Sequence, residues 1–176
     1  AGGHNGVDEL TTMALIPQVV DAVNIPVVAA GGIADARGMI AAFALGAEGV
    51  QLGTRFIATR ECIAHAKAKE AIINAMDNAT VITGRGHAPV RMIKNKLASL
   101  ILEKEHAGVP HEKLLEFIGS GRTRAALIEG DLEEGSLMAG QIAGLIRDIK
   151  SVKEVIDEMI TNASGVLSGI SKRLSS

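Results

Sequence analysis

Aromatic side chains are almost missing from this sequence, which has three Phe, no Tyr and no Trp. Nucleic-acid surfaces interleave basic and aromatic side chains. No such stripe occurs here and the formal net charge is −2, which excludes a general nucleic-acid-binding role. Cysteine occurs once, at Cys62, so no intrachain disulfide can form, as in proteins of a reducing compartment. No apolar run reaches the roughly 18 residues a bilayer span needs, and no signal-peptide pattern is present. His65, His106 and His111 have no Cys or carboxylate at ligand spacing, so no metal site is expected. These absences predict a cytoplasmic protein with neither nucleic acid nor membrane among its partners.

Glycine and small aliphatic residues are abundant, and their order carries the information. Val27-Val28-Ala29-Ala30 runs straight into Gly31-Gly32-Ile33-Ala34, and Gly49-Val50-Gln51-Leu52 runs into Gly53-Thr54-Arg55. Each is an apolar run of strand length stopped by glycine, with an Ala-rich helix predicted between them over Asp35 to Leu45. Asp35 is the expected N-cap and Gly46 the expected stop. A strand–helix–strand unit with glycine turns at both strand ends suits a phosphate. Ligands of α/β folds sit at that end, and glycine lets backbone N–H groups approach an anion unobstructed. The plainer reading is that these glycines only terminate strands. The spacing alone leaves both open.

Elsewhere, helices are predicted over Thr11 to Val23 with Pro17 in the first turn, and over Ala64 to Met76. Others are predicted over Val90 to Glu105, Glu112 to Ile118, Ser136 to Ile149 and from Val152 to about Ile160, with a short extended piece at Thr80 to Ile82. Only two convincing strands emerge, too few for an independent sheet. The loop Ala1-Gly2-Gly3-His4-Asn5-Gly6 has no strand ahead of it. The chain is therefore expected to be the C-terminal part of a longer enzyme.

Five stretches together resemble one family. They are Ala1-Gly2-Gly3-His4, Ala29 to Ala34, Gln51-Leu52-Gly53-Thr54-Arg55-Phe56, Ile93-Lys94-Asn95 and Gly135 to Gln141. In that order they resemble the nitronate monooxygenase and flavin-dependent enoyl-ACP reductase family, over nearly the whole chain. The resemblance implies an α/β fold, the C-terminal part of an FMN-binding TIM barrel with a helical lid. Residues 1–61 and 134–176 would belong to the barrel and 62–133 to the lid. It implies that Gly2 and Gly3 lie against the flavin, that Gly31 and Gly32 hold its phosphate, and that Gln51, Leu52, Gly53 and Thr54 close the grip. His4 matches the histidine the family places beside the flavin ring. It would handle a proton or orient a carbonyl, unless it is a surface residue of a frayed end.

The implied activity is NAD(P)H-dependent reduction of a trans-2-enoyl-ACP thioester. The runner-up is oxidation of a nitronate with O2. Leu10-Thr11-Thr12-Met13 and Lys94-Asn95-Lys96 resemble the reductase branch. Acyl carrier protein, the other half of the barrel and a second copy in a homodimer are the expected partners. The rival from another class is a non-catalytic phosphate-binding chain that completes a partner. Arg85, Arg91, Lys94 and Lys96 form either a cationic rim for substrate phosphates or a solvated face. His87 reads as a solvated loop residue.

Overall fold

A computed structural model describes residues 1–4, 10–85 and 88–175, with His4 described by its backbone. His87 lies outside the described residues. The chain opens with β1 (Gly3–His4), α1 (Thr12–Ala22), β2 (Val28–Ala30), α2 (Ala36–Ala44), β3 (Gly49–Gln51) and a single turn, α3 (Thr54–Ile57). Next come α4 (Ala66–Ile73), β4 (Thr80–Thr83), β5 (Val90–Ile93), α5 (Lys96–His106) and α6 (His111–Ile118). A short α7 (Arg122–Arg124) then runs into a π turn at Ala125–Glu129, and a 3₁₀ turn at Gln141–Leu145 precedes the long α8 (Val152–Leu174).

The β2–α2–β3 unit forms as its residues dictate. The Asp35 carboxylate accepts from Arg37 N–H at 2.9 Å, which caps α2. The Arg37 guanidinium bonded to it holds Asp35 below the usual carboxylate range. Gly46, at φ +93°, ends the helix in the left-handed region. β2 and β3 are parallel, with Val28 opposite Gly49, Ala29 opposite Val50 and Ala30 opposite Gln51. α8 starts from a capping box, in which Ser151 Oγ accepts from Glu154 N–H at 3.1 Å and Glu154 returns a bond to Ser151 N–H.

The remaining strands form a second, antiparallel sheet in the order β1–β5–β4. Residues 62–133 therefore carry a hairpin as well as helices. The expected helix over Val90 to Glu105 is a strand followed by a helix that begins only at Lys96. Asn95 makes that boundary. Its Oδ1 caps α5 through Ala98 N–H, while its Nδ2 donates to the carbonyls of Leu132 and Gly135. Ser136 to Ile149 is not the expected helix either. Its backbone groups are spent on other segments, as where Leu137 O accepts from Ile93 N–H at 2.9 Å. Pro17 lies inside α1 rather than in its first turn, because the helix starts at Thr12.

Three apolar clusters hold these pieces. Ile72, Ala126, Leu137, Ala139 and Ile146 lead the first, in which α4 and the π turn meet the 137–146 segment. Ile16, Ala29, Ile33, Met39, Val155 and Met159 make the second, where α8 packs on α2 and β2. Leu97, Ile101 and Leu114 join α5 to α6. Among the described residues no helix is long and apolar enough to cross a membrane.

Candidate functional site

With Ala30 paired to Gln51, the chain leaves both parallel strands at the same end, directly into Gly31 from β2 and through Leu52 into Gly53 from β3. Gly31 and Gly32 have φ of +94° and +76°, conformations an L side chain rarely adopts. Thr12, at the start of α1, fixes the first turn by donating its hydroxyl to Gly31 O at 2.9 Å. Beyond β3, Gly53 caps α3 with its backbone alone. A Cβ there would meet no atom within 4 Å. The second turn thus faces open space, with the first N–H groups of α3 following it, whereas Gly31 packs on Ala1.

The N-terminal glycines reach this place through close backbone crossings. A Cβ on Gly2 would lie 2.5 Å from the Ala139 carbonyl carbon, and one on Gly31 would lie 3.1 Å from Ala1. Gly140 packs on Gly2 beside Ala139 and donates its N–H to Thr54 Oγ1 at 2.9 Å. Residues 2, 31, 54 and 140 are therefore joined through successive contacts. Thr54 is buried, and its hydroxyl still has its own proton to donate. Gln51 is exposed and Leu52 half-buried.

Behind Thr54, Arg55 is nearly buried and anchors the turn. It donates to Asp148 O at 3.0 Å and to the Asp148 carboxylate at 2.8 Å. Burial raises the Asp148 pKa, but Lys150 and Arg55 outweigh it and hold the carboxyl below its ordinary value.

β1 runs antiparallel to β5, with Gly3 opposite Arg91 and His4 opposite Val90. Met138 completes this side, its Sδ lying 3.4 Å from the position a Gly3 Cβ would take. Sequence reasoning missed Thr12, Met138 and the β5 partnership. The one local signal was Val90-Arg91-Met92-Ile93, a strand-length run after Pro89. Three of the four cations around the hairpin have different described surroundings. Lys96 pairs with Glu134 at 2.9 Å and Arg91 donates to Thr80 Oγ1 at 3.1 Å, while Lys94 is exposed. No group of three or more His, Cys, Asp or Glu among the described residues is arranged to hold a metal.

The parallel β2–β3 pair with a glycine turn beyond each strand defines an α/β unit, and in such folds ligands sit at that end of the strands. The family model described as "Nitronate monooxygenase" matches residues 1–162, and the chain belongs to that family. A probable nitronate monooxygenase of Staphylococcus saprophyticus is 35% identical over 180 residues, covering 95% of this chain and 49% of the relative. FabK from Thermotoga maritima superposes with a TM-score of 0.90 at 45% identity, over 98% of this chain and 54% of that one. Nitroalkane oxidase from Streptomyces ansochromogenes superposes at 0.75 and 29% identity, over 97% and 51%. The chain thus spans about half the length of the relatives it matches.

Proposed function

We propose that this chain forms the cofactor-phosphate end of an FMN-dependent oxidoreductase that reduces trans-2-enoyl-ACP thioesters with NAD(P)H. One observation carries the cofactor assignment: the Gly31-Gly32 and Gly53-Thr54 turns follow the same end of two paired parallel strands, and the side-chain direction of Gly53 is open. Backbone N–H groups of those turns and the Thr54 hydroxyl are the groups that would hold the phosphate. The residues present fit that group, since they offer donors and no carboxylate among the seven at the turns, 31–33 and 51–54. When bound, FMN supplies the redox chemistry, and the protein supplies binding, orientation and the proton.

In this reading Gly2 and Gly3 present bare backbone to the flavin, and His4 orients the thioester carbonyl or delivers the proton. The antiparallel pairing with Val90 fixes the backbone of His4. Residues 1–61 and 134–176 then belong to a β/α barrel shared with residues outside this chain, and 62–133 to the substrate domain. The reductase branch is favoured by the higher identity to FabK than to nitroalkane oxidase. The Leu10–Met13 and Lys94–Lys96 resemblances point the same way. Nitronate oxidation remains the second reading, supported by the curated relatives.

Gly53→Val tests the cofactor site without straining the fold, because φ at Gly53 is −96° and its side-chain direction is open. The variant should lose FMN while its far-UV circular dichroism matches wild type. Stoichiometric FMN in Gly53→Val would refute the site. Crotonyl thioester turnover with NADPH, set against oxygen uptake with a nitronate, separates the two reactions.

A further inference from the structure

α5 ends unusually. Lys104 and His106 suit the negative end of a helix, but Glu105 stands between them in the same last turn, where a carboxylate is disfavoured by the helix dipole. Its partner explains it. Glu105 Oε1 accepts the N–H of Gly84 at 2.6 Å, across 21 residues of sequence.

Gly84 is the pivot of the β4–β5 hairpin. Its φ is +75°, and a Cβ there would come within 2.4 Å of Ala88 O, so the position admits glycine alone. Ala88 N–H closes the turn on Gly84 O at 3.1 Å. The turn therefore uses the carbonyl of Gly84 internally and gives its N–H to α5. Glu105 holds the hairpin from outside.

The hairpin in turn backs the proposed site. Thr83, next to the pivot, is buried and its hydroxyl lies 3.9 Å from Met92 Sδ. Met92 is almost fully buried and bridges to Met138, the residue that packs on Gly3. On the same strand Val90 and Arg91 pair with His4 and Gly3. The hairpin is thus linked to the glycine strand along the β1–β5 ladder and through the Met92–Met138 backbone bridge, from which the Met138 side chain lies beside Gly3.

We propose that Glu105 is a positioning residue for the site, holding β5 in place beside the Gly3–His4 strand through Gly84 at the end of β4. The catalytic part of this proposal rests on the function proposed above; the mechanical part does not. The test uses the FMN-loaded protein with Glu105→Ala, which removes the acceptor, and Glu105→Gln, which keeps a carbonyl oxygen in its place. Glu105→Ala should lower kcat for the thioester roughly 10- to 100-fold, the cost of a small misplacement in a preorganised site. FMN content and melting midpoint should stay at wild type. Glu105→Gln should restore turnover to within about twofold, because the bond needs an acceptor and not a charge.

Amide hydrogen exchange gives a readout that needs no activity. In Glu105→Ala, exchange at Gly84 and along β5 should accelerate at least tenfold, as local opening becomes easier, while Glu105→Gln protects them. Unchanged exchange along β5 in Glu105→Ala overturns the proposal, whatever the enzyme does. Equal losses of melting temperature and FMN in both variants also overturn it, since they mark a merely structural role. A wild-type protein that turns over no thioester refutes the function alone and leaves the exchange experiment decisive.

Discussion

The two larger apolar clusters sit on either side of the glycine turns and are closed to different degrees. In the first, α4, the π turn and the 137–146 segment surround Ile72 and Leu137, whose exposures are 0% and 2%. In the second, Ala29 is fully buried but its neighbour Val28 is 57% exposed. The alternation along β2 shows that one face of the parallel pair is packed on α2 and α8 while the other is bare. Parallel strands are ordinarily covered on both faces. Met13 on α1 and Ile160 on α8 are exposed in the same half of the molecule. Among the described residues nothing covers these faces. The first region is a finished core; the second is a half-built layer.

The difference can be broken by mutation. The largest effect belongs to the finished core: Ile72→Ala should cost about 2–5 kcal/mol by chemical denaturation, because Ile72 is fully buried and its truncation leaves a cavity in the cluster. A cost under about 1 kcal/mol would show that this cluster is as loose as the other.

An intermediate effect belongs to the Arg55–Asp148 pair, which pins α3 to the residues before α8. Asp148→Ala should cost about 2 kcal/mol, since it leaves a nearly buried guanidinium with one carbonyl partner. The figure is below the usual range for breaking a buried pair, because the carboxylate is half in water. Arg55→Met should cost less, as the Asp148 it abandons can hydrate. The pH dependence follows in sign. Lys150 and Arg55 hold the Asp148 carboxyl below its ordinary value. Its contribution is therefore complete above pH ~4 and lost as pH falls through the lower folded value. Denaturation midpoints measured down the acid range should converge for wild type and Asp148→Ala; parallel curves would contradict the pairing.

The smallest effect sharpens the comparison from the open side. Val28→Ser should change the stability of this chain by less than about 0.5 kcal/mol, as exposed positions do, while reducing the binding of an apolar dye. A loss as large as that of Ile72→Ala would mean that the bare face is covered in solution.

Sequence reading succeeded where the signals were local. Gly31-Gly32, the Asp35 cap and Gly46 punctuate β2–α2–β3, and each acts within a few residues of itself. It failed where distant partners decide. Val90 to Ile93 became a strand by pairing with Gly3–His4 and with β4. Nothing beside it in sequence separates it from the helix that follows, apart from Asn95, whose anchors lie at Leu132 and Gly135. The Gly135-to-Ile149 stretch has small residues at helical spacing. Tertiary demand for its backbone, from Ile93 and Thr54, overrode that propensity. In the candidate site the glycines of the turns were legible; Thr12 and Met138, which support them from other elements, were not.

The hydrogen bond from Gly140 to Thr54 spans 86 residues, and it implies an order of events. Contacts between such distant parts of a chain carry the loop-closure entropy of everything between them, so they arise late in folding. The Gly140–Thr54 contact then follows the β2–α2–β3 unit and the hairpin, whose pairings span fewer residues, and it shares that lateness with the Arg55–Asp148 pair, 93 residues apart. A ligand held by the turns at 31–33 and 51–54, as proposed above, would add its binding free energy to the stability of the contact that Thr54 makes with Gly140.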